Sequence, residues 1–176
     1  MKKLIFLLLT FVVLIGCSSK LVEKQQGFVG MANPWTDCGT DLEQASQIAG
    51  FLFPVTLSNY DVRAMKDMIE INYPLDEDRM VCLRKTDSAK FTTDTGGEYK
   101  GDISGVYIDY PVKKVITLKN SVPVYIRGAK DKIYVMNMAA SNGYYSAYCK
   151  DGMSLREIEQ IYEIIAEAET PKMYLP

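Results

Sequence analysis

The chain has 176 residues, of which 48% are hydrophobic and 24% charged, and its formal net charge at pH 7 is −2. This length suits a single domain with a hydrophobic core. The slightly acidic balance, with no dense basic patch, argues against nucleic acid as a partner. The sequence contains no histidine, which excludes Ser-His-Asp and Cys-His catalysis and removes the commonest ligand of zinc and copper sites. No cofactor and no metal ion are expected.

The N-terminal segment has the pattern of a secretion signal. Lys2 and Lys3 supply a positive end, and residues 4–15 form an apolar run that is too short to span a bilayer comfortably. The run ends in Leu14-Ile15-Gly16-Cys17, which resembles the lipobox of bacterial lipoprotein precursors; a signal anchor with an incidental cysteine is the alternative. The resemblance implies cleavage after residue 16 and lipid on Cys17, which would hold the protein on the extracytoplasmic face of the cell membrane.

The rest of the chain divides into a short tether and one domain. Residues 17–30 are polar and lack periodicity, so they are interpreted as a flexible tether, and residues 31–176 as a single globular domain. The domain contains Cys38, Cys82 and Cys149, an odd number that permits at most one internal disulfide. A bridge between Cys38 and Cys149 is the favoured pairing, because each precedes a predicted helix. Three small buried side chains are the alternative.

The first helix is predicted from a capping box. In Thr40-Asp41-Leu42-Glu43, the Thr40 hydroxyl can accept from the third helical amide while Glu43 reaches back to the cap. An apolar stripe follows at helical spacing, and Gly50 is suited to ending the helix in a left-handed conformation. A helix of this length is not stable alone, so it must pack against another element.

Most of the remaining chain has the pattern of strands. Residues 51–57 are predicted to form an edge strand because of Pro54, and residues 61–73 fit either a helix or a strand, with a strand favoured from Met68. Residues 86–102 are predicted to be a long loop. A short strand is predicted at residues 80–85, before this loop. After the loop, strands are predicted at residues 106–110, 112–118, 122–127, 133–139 and 144–149, and the short turns between them favour an antiparallel meander.

The chain closes with a second predicted helix. Ser154-Leu155-Arg156-Glu157 is another capping box, followed by apolar residues at helical spacing. Strands flanked by helices predict an α+β fold: a curved antiparallel sheet of about six to eight strands, with an N-terminal and a C-terminal helix.

Several short motifs recur here in one order, and together they resemble an uncharacterised family of extracytoplasmic lipoprotein domains of Gram-positive, largely clostridial, bacteria. The resemblance covers most of residues 31–167. It implies a compact surface domain, and the family offers no catalytic motif to carry over. The motifs are Asn33-Pro34-Trp35, Leu42-Glu43-x-Ala45, Ala49-Gly50-Phe51, Met68-Ile69-Glu70-Ile71-x-Tyr73, Arg84-Lys85, Asp102-Ile103-Ser104-Gly105 and Tyr144-Tyr145-Ser146.

Aromatic side chains are the main candidates for a binding surface. Trp35 lies in an Asn-Pro-Trp loop and serves either as a ligand anchor or as a plug at one end of the core. Tyr107, Tyr144 and Tyr145 belong to a group of tyrosines in the predicted strands, where aromatic residues stack on ligands or pack across strands. Because Tyr144 and Tyr145 are consecutive, they are expected on opposite faces of the sheet.

Polar motifs give weaker indications of chemistry. Asp76-Glu77-Asp78 lacks the spacing of a calcium loop and is interpreted as a solvated turn. Ser104 lacks a nucleophile elbow, and nothing places Lys85 or Lys100 beside a serine. Glu70 and Asp109 are the acids that a hydrolase would need, yet alternation puts Glu70 on the solvent side of its strand. No catalytic residue is therefore assigned.

These observations favour a lipid-anchored, non-catalytic binding or interaction module. Its expected partners are the membrane, through the N-terminal lipid, and an envelope protein, glycan or lipid, presented with a sheet face or a strand edge. The alternative is a sensor or chaperone-like module that holds an apolar ligand or lipid. An envelope hydrolase is the least favoured hypothesis.

Overall fold

The computed structural model describes residues 33–88, 93–94 and 100–169, and the described residues from Pro34 onward belong to one compact unit. The predicted signal peptide, the lipidation of Cys17 and the tether lie outside the described residues. The helices are α1 (Leu42–Ala49) and α2 (Leu155–Glu169). The strands are β1 (Thr36–Asp37), β2 (Asp61–Met65), β3 (Met68–Pro74), β4 (Met80–Thr86), β5 (Thr93–Asp94), β6 (Lys100–Asp102), β7 (Val112–Thr117), β8 (Pro123–Ala129), β9 (Lys132–Ala140) and β10 (Gly143–Met153).

Eight strands form one open antiparallel sheet in the order β1-β2-β3-β4-β10-β9-β8-β7, and β5 pairs separately with β6. The predicted α+β class, the strand number and the two flanking helices are thus confirmed. The predicted meander is confirmed for β7 to β10, which pair antiparallel in chain order, and β4 pairs with β10 rather than with β7. Two meanders, β1–β4 and β7–β10, meet there, and the chain after β4 must travel to the far edge of the sheet.

One face of the sheet, called here the helix face, carries the hydrophobic core. Its strand residues recur at every second position, as one side of a pleated sheet requires. Helix α1 packs on β2 and β3, and α2 contacts β10. The most completely buried of these core residues include Ala45, Phe53, Ile69, Ile71, Leu83, Met136, Tyr145, Ile158 and Ile161.

The opposite face, called the polar face, is crossed by the connection from β4 to β7. Strand β6 packs against β9 and β10, and residues 102–108, called the strap, follow it. Arg84 and Arg127, on the polar face of β4 and β8, donate to backbone carbonyls of this strap. The polar face is therefore covered in its middle, whereas simple alternation predicted it to be open to water.

Of the two predicted capping boxes, the second forms as predicted and the first does not. Ser154 and Glu157 form the predicted capping box: the Ser154 amide donates to Glu157 at 2.7 Å, and the Glu157 amide donates to the Ser154 hydroxyl at 3.3 Å. At α1 the prediction is wrong by one residue. Asp41, not Thr40, caps the helix by accepting from the Gln44 amide at 2.9 Å. Asp and Thr are both favoured as N-cap residues, so the sequence does not indicate which of these two neighbouring residues caps the helix.

Two predicted strands are absent, and the ambiguous segment is a hairpin. Residues 51–57 are irregular, although Phe53 and Val55 are buried. Residues 106–110 are also irregular and belong partly to the strap. Apolar content correctly indicated the burial of Phe53 and Val55, but it indicated neither the irregular conformation of the two segments nor the exposure of Tyr107 and Ile108. Residues 61–67 contain β2 and the turn that leads into β3, in which Asp67 has a φ of 65°.

Candidate functional site

A row of polar side chains runs straight across the polar face. Arg63, Glu70, Arg84, Ser146, Asn137 and Tyr125 are successive cross-strand partners on β2, β3, β4, β10, β9 and β8. We call this set the polar row. Glu70, Asn137, Tyr125 and Ser146 are each at most 2% exposed. Buried polar groups are costly unless they are paired, so this row is either a hydrogen-bond network or a binding site.

One end of the polar row is a closed ion-pair network around Glu70. Its carboxylate accepts from Arg63 Nε at 2.6 Å, Arg84 Nε at 2.7 Å and Asn72 Nδ2 at 3.0 Å. Burial by itself would raise the pKa of Glu70, but these hydrogen bonds and the nearby guanidinium charges lower it below its usual value. Trp35 covers this end, with its ring 5.0 Å from the Arg63 guanidinium and 5.6 Å from that of Arg84.

Arg127 fastens the strap to the other half of the polar face. It is 3% exposed and donates through Nη2 to Asp102 Oδ2 at 2.6 Å and to Ser104 Oγ at 3.0 Å. Through Nη1 it donates to the carbonyls of Val106 and Ile108 at 2.9 and 3.3 Å. Ser104 Oγ also accepts from the Val106 amide. The Ser104 hydroxyl therefore holds the strap in shape by bonding to both Arg127 and the Val106 amide.

Gly105 lets the strap approach Arg84. Its φ is +68°, and a Cβ added there would lie 2.5 Å from Arg84 Nη1. Gly105→Ala is expected to lower the free energy of unfolding by about 1–3 kcal/mol, through left-handed strain and displacement of Arg84. Gly39→Ala is the matched control, since Gly39 has a φ of +58° with no described atom within 4 Å of the added Cβ. Equal urea-unfolding losses in the two variants would show that the Arg84 contact contributes nothing.

A buried lysine on the helix face ties the irregular segment after α1 to the sheet. Lys85 is 3% exposed and donates to the Leu52 carbonyl at 3.0 Å. Its ammonium lies 5.3–5.4 Å from the rings of Phe51, Phe53 and Tyr145. These cation–π contacts explain how the sheet tolerates a lysine in its core.

A second candidate site lies at the edge of the sheet. Strand β7 is terminal in the strand order, and beside it, on the helix face, lies a groove of about 190 Å³, called the edge groove. Leu155 at the start of α2 forms one wall and is 53% exposed. The groove is lined by apolar Val112, Ile116, Ile126, Ile133 and Leu155, by Lys114, Lys130 and Lys132, and by Gly128 and Asp131.

The residues predicted as a binding surface do not form one site. Trp35 is half-buried against the arginines of the polar face, so it is not a plug of the helix-side core. Tyr107, on the strap, is 86% exposed. Tyr144 is half-buried, whereas Tyr145 is fully buried in the core, where its hydroxyl donates to Asn142 at 2.8 Å. The alternation of the two consecutive tyrosines is as expected, but Tyr145 is not available to a partner.

The three cysteines of the domain form no disulfide. Cys38, Cys82 and Cys149 are free thiols, so the considered Cys38–Cys149 bridge is not formed, and Cys38 and Cys149 are both core residues. Burial and the neighbouring Glu70 carboxylate raise the pKa of Cys82 to about 12, which disfavours its thiolate.

The acidic candidates are likewise engaged. Asp76 accepts from the backbone amides of Asp78 and Arg79 and pairs with the Arg79 side chain, as a turn residue does. Among the described residues there is no cluster of three potential metal ligands. Glu70 is buried, which contradicts its expected solvent exposure, while Asp109 is 84% exposed and pairs with Lys113.

Sequence reasoning missed Arg127, Asn137 and the edge groove. Arg127 and Asn137 stand inside otherwise apolar strands, and a polar residue within such a run is the signal that would have singled them out. The edge groove combines β7, β8, the β8–β9 turn and the start of α2, and local patterns do not bring these elements together.

Comparison with known proteins gave no relative from which to transfer a function. No protein-family model matches the chain, and neither a curated protein nor a solved structure matches it. Within the part of the chain that is described, neither helix is long and apolar enough to cross a membrane.

Proposed function

We propose that this protein is a lipid-anchored, non-catalytic binding module of the cell envelope that captures an extended peptide segment along β7. The observation that carries the proposal is the edge groove beside this terminal six-residue strand. A segment that pairs with β7 gains backbone hydrogen bonds, and every second side chain of it enters the groove. The lipobox supports attachment to the membrane through Cys17.

The lining of the groove favours a partner segment in which acidic and apolar residues alternate. Val112, Ile116 and Leu155 offer apolar contact, and Lys114 and Lys130 offer positive charge on a protein whose net charge is negative. Lysines on an edge strand disfavour pairing with a second copy of the same strand, because the like charges would repel each other. They attract an acidic strand, which gives the edge its selectivity.

The test uses the purified full chain and a fluorescent synthetic peptide of alternating glutamate and leucine. Saturable binding is expected in fluorescence anisotropy. The double variant Lys114→Glu/Lys130→Glu is expected to weaken it at least about tenfold, because charge attraction becomes repulsion. Lys66→Glu is the matched control, because Lys66 is exposed in the turn between β2 and β3. The affinity of this variant for the peptide should stay within about twofold of that of the unmodified chain.

Two further probes separate the alternatives. A peptide of alternating lysine and leucine should not bind, and backbone N-methylation of the acidic peptide should abolish binding by removing its donors. Equal affinity of the double variant and the unmodified chain would contradict the proposal. Displacement of the peptide by oleate, with no response to charge reversal, would instead favour a module for apolar ligands or lipids.

A further inference from the structure

Three adjacent polar side chains beneath the strap have unmet hydrogen-bonding capacity. Asn137 is 0% exposed, and neither its Oδ1 nor its Nδ2 has a partner within the described chain. The same is true of Ser146 Oγ and of Arg127 Nε. Asn137 and Ser146 are direct cross-strand partners, and Arg127 lies diagonally from Asn137 on β8. The three groups thus share one patch of the polar face.

Such a cluster is unusual because a buried donor or acceptor left unpaired costs more than an ordinary hydrogen bond gains. The surrounding groups have their partners: Glu70 accepts from three donors, and Arg127 uses both Nη atoms. Asn137 and Ser146 thus lie in the middle of the polar row and Arg127 lies beside it, under a strap that Arg84 and Arg127 hold in place.

We propose that Arg127, Asn137 and Ser146 line an internal hydration site, in which ordered water joins the sheet to the strap. The chemistry fits water, because Arg127 Nε and Asn137 Nδ2 donate, Asn137 Oδ1 accepts, and the Ser146 hydroxyl does both. Buried waters characteristically bridge two to four such groups. This site is independent of the edge groove, so failure of the peptide-binding experiment would leave it intact.

A crystal structure of the full chain at high resolution tests the site directly. Oxygen-sized density within hydrogen-bond distance of the Asn137 amide and the Ser146 hydroxyl is the expected result. Direct hydrogen bonds from Asn137 to Ser146 or to a strap carbonyl, with no density between them, would overturn the proposal.

The variant Asn137→Leu distinguishes a hydrated site from a dry one. Loss of the water leaves Arg127 Nε and Ser146 Oγ unpaired, so amide hydrogen exchange in the strap is expected to quicken about tenfold. If the site is dry, removing an unpaired buried amide should leave strap exchange unchanged or slower, which would overturn the proposal.

Val135→Ala is the control, because Val135 is buried on the same strand and face but carries no polar side-chain atom. It should leave the water density in place. If Asn137→Leu does not fold, Ser146→Ala provides the same readout with a smaller change. Strap exchange unaltered in Ser146→Ala would then count against the site.

Discussion

Replacing Arg127 with alanine is expected to lower the free energy of unfolding by about 3–5 kcal/mol, the cost of stranding one member of a buried ion pair. The side chains of Arg127 and Asp102 are 3% and 2% exposed, and their atoms are 2.6 Å apart. The substitution removes the Arg127 guanidinium from the buried Asp102 carboxylate and releases the carbonyls of Val106 and Ile108. Urea unfolding at neutral pH measures the loss.

Arg156→Ala is the control for this substitution, because Arg156 is exposed on α2 and its loss should cost less than about 0.5 kcal/mol. The double variant Asp102→Asn/Arg127→Leu should recover part of the lost stability, since it removes both charges together. A loss below about 1 kcal/mol for Arg127→Ala would mean that the strap is not fastened as described.

Glu70→Gln is expected to lower the free energy of unfolding by about 3 kcal/mol at pH 7. This is the lower end of the range for breaking a buried ion pair, because Arg84 is 18% and Arg63 42% exposed, and both guanidinium groups recover some hydration. Glutamine keeps the shape but loses the charge that balances the two guanidinium groups. Trp35 is the single tryptophan of the chain and lies over both arginines, so its fluorescence reports directly on this end of the polar row.

The effect of Glu70→Gln should depend on pH. The pKa of Glu70 is lowered in the folded state, so the unfolded state binds its proton first and folding weakens as the pH falls. The stabilisation is complete above the ordinary glutamate pKa of about 4.3 and is lost as the pH falls through the lower folded value. The stability difference between the unmodified chain and Glu70→Gln should therefore shrink below about pH 4. A constant difference from pH 7 to pH 3 would contradict this account.

The pattern of the strands was readable from the sequence because each strand of the helix face alternates. Ile69, Ile71 and Tyr73 on β3 are an example of this alternation. The start of α2 was also readable, from the capping box at Ser154 and Glu157. The order of the strands was not readable in the same way. The pairing of Tyr145 with Lys85 joins residues that are far apart in the chain, and local turn signals contain no information about it.

The covering of the polar face explains why the expected solvent exposure of Glu70 was wrong. Glu70 was expected in solvent because alternation assigns it to the side away from the core. The β4–β10 join sends the connection to β7 back across that side, so the face acquires a cover and the polar row becomes buried. The exposed tyrosines that suggested a binding face proved to be dispersed, and the edge groove took their place as the candidate surface.

The central claim is that β7 accepts an extended acidic segment. Amide hydrogen exchange of the full chain, with and without saturating glutamate–leucine peptide, tests it most directly. Slower exchange confined to Val112–Thr117 and the neighbouring groove residues is the predicted result. Unchanged exchange in β7 despite bound peptide, or protection that appears only in the strap, would contradict the account.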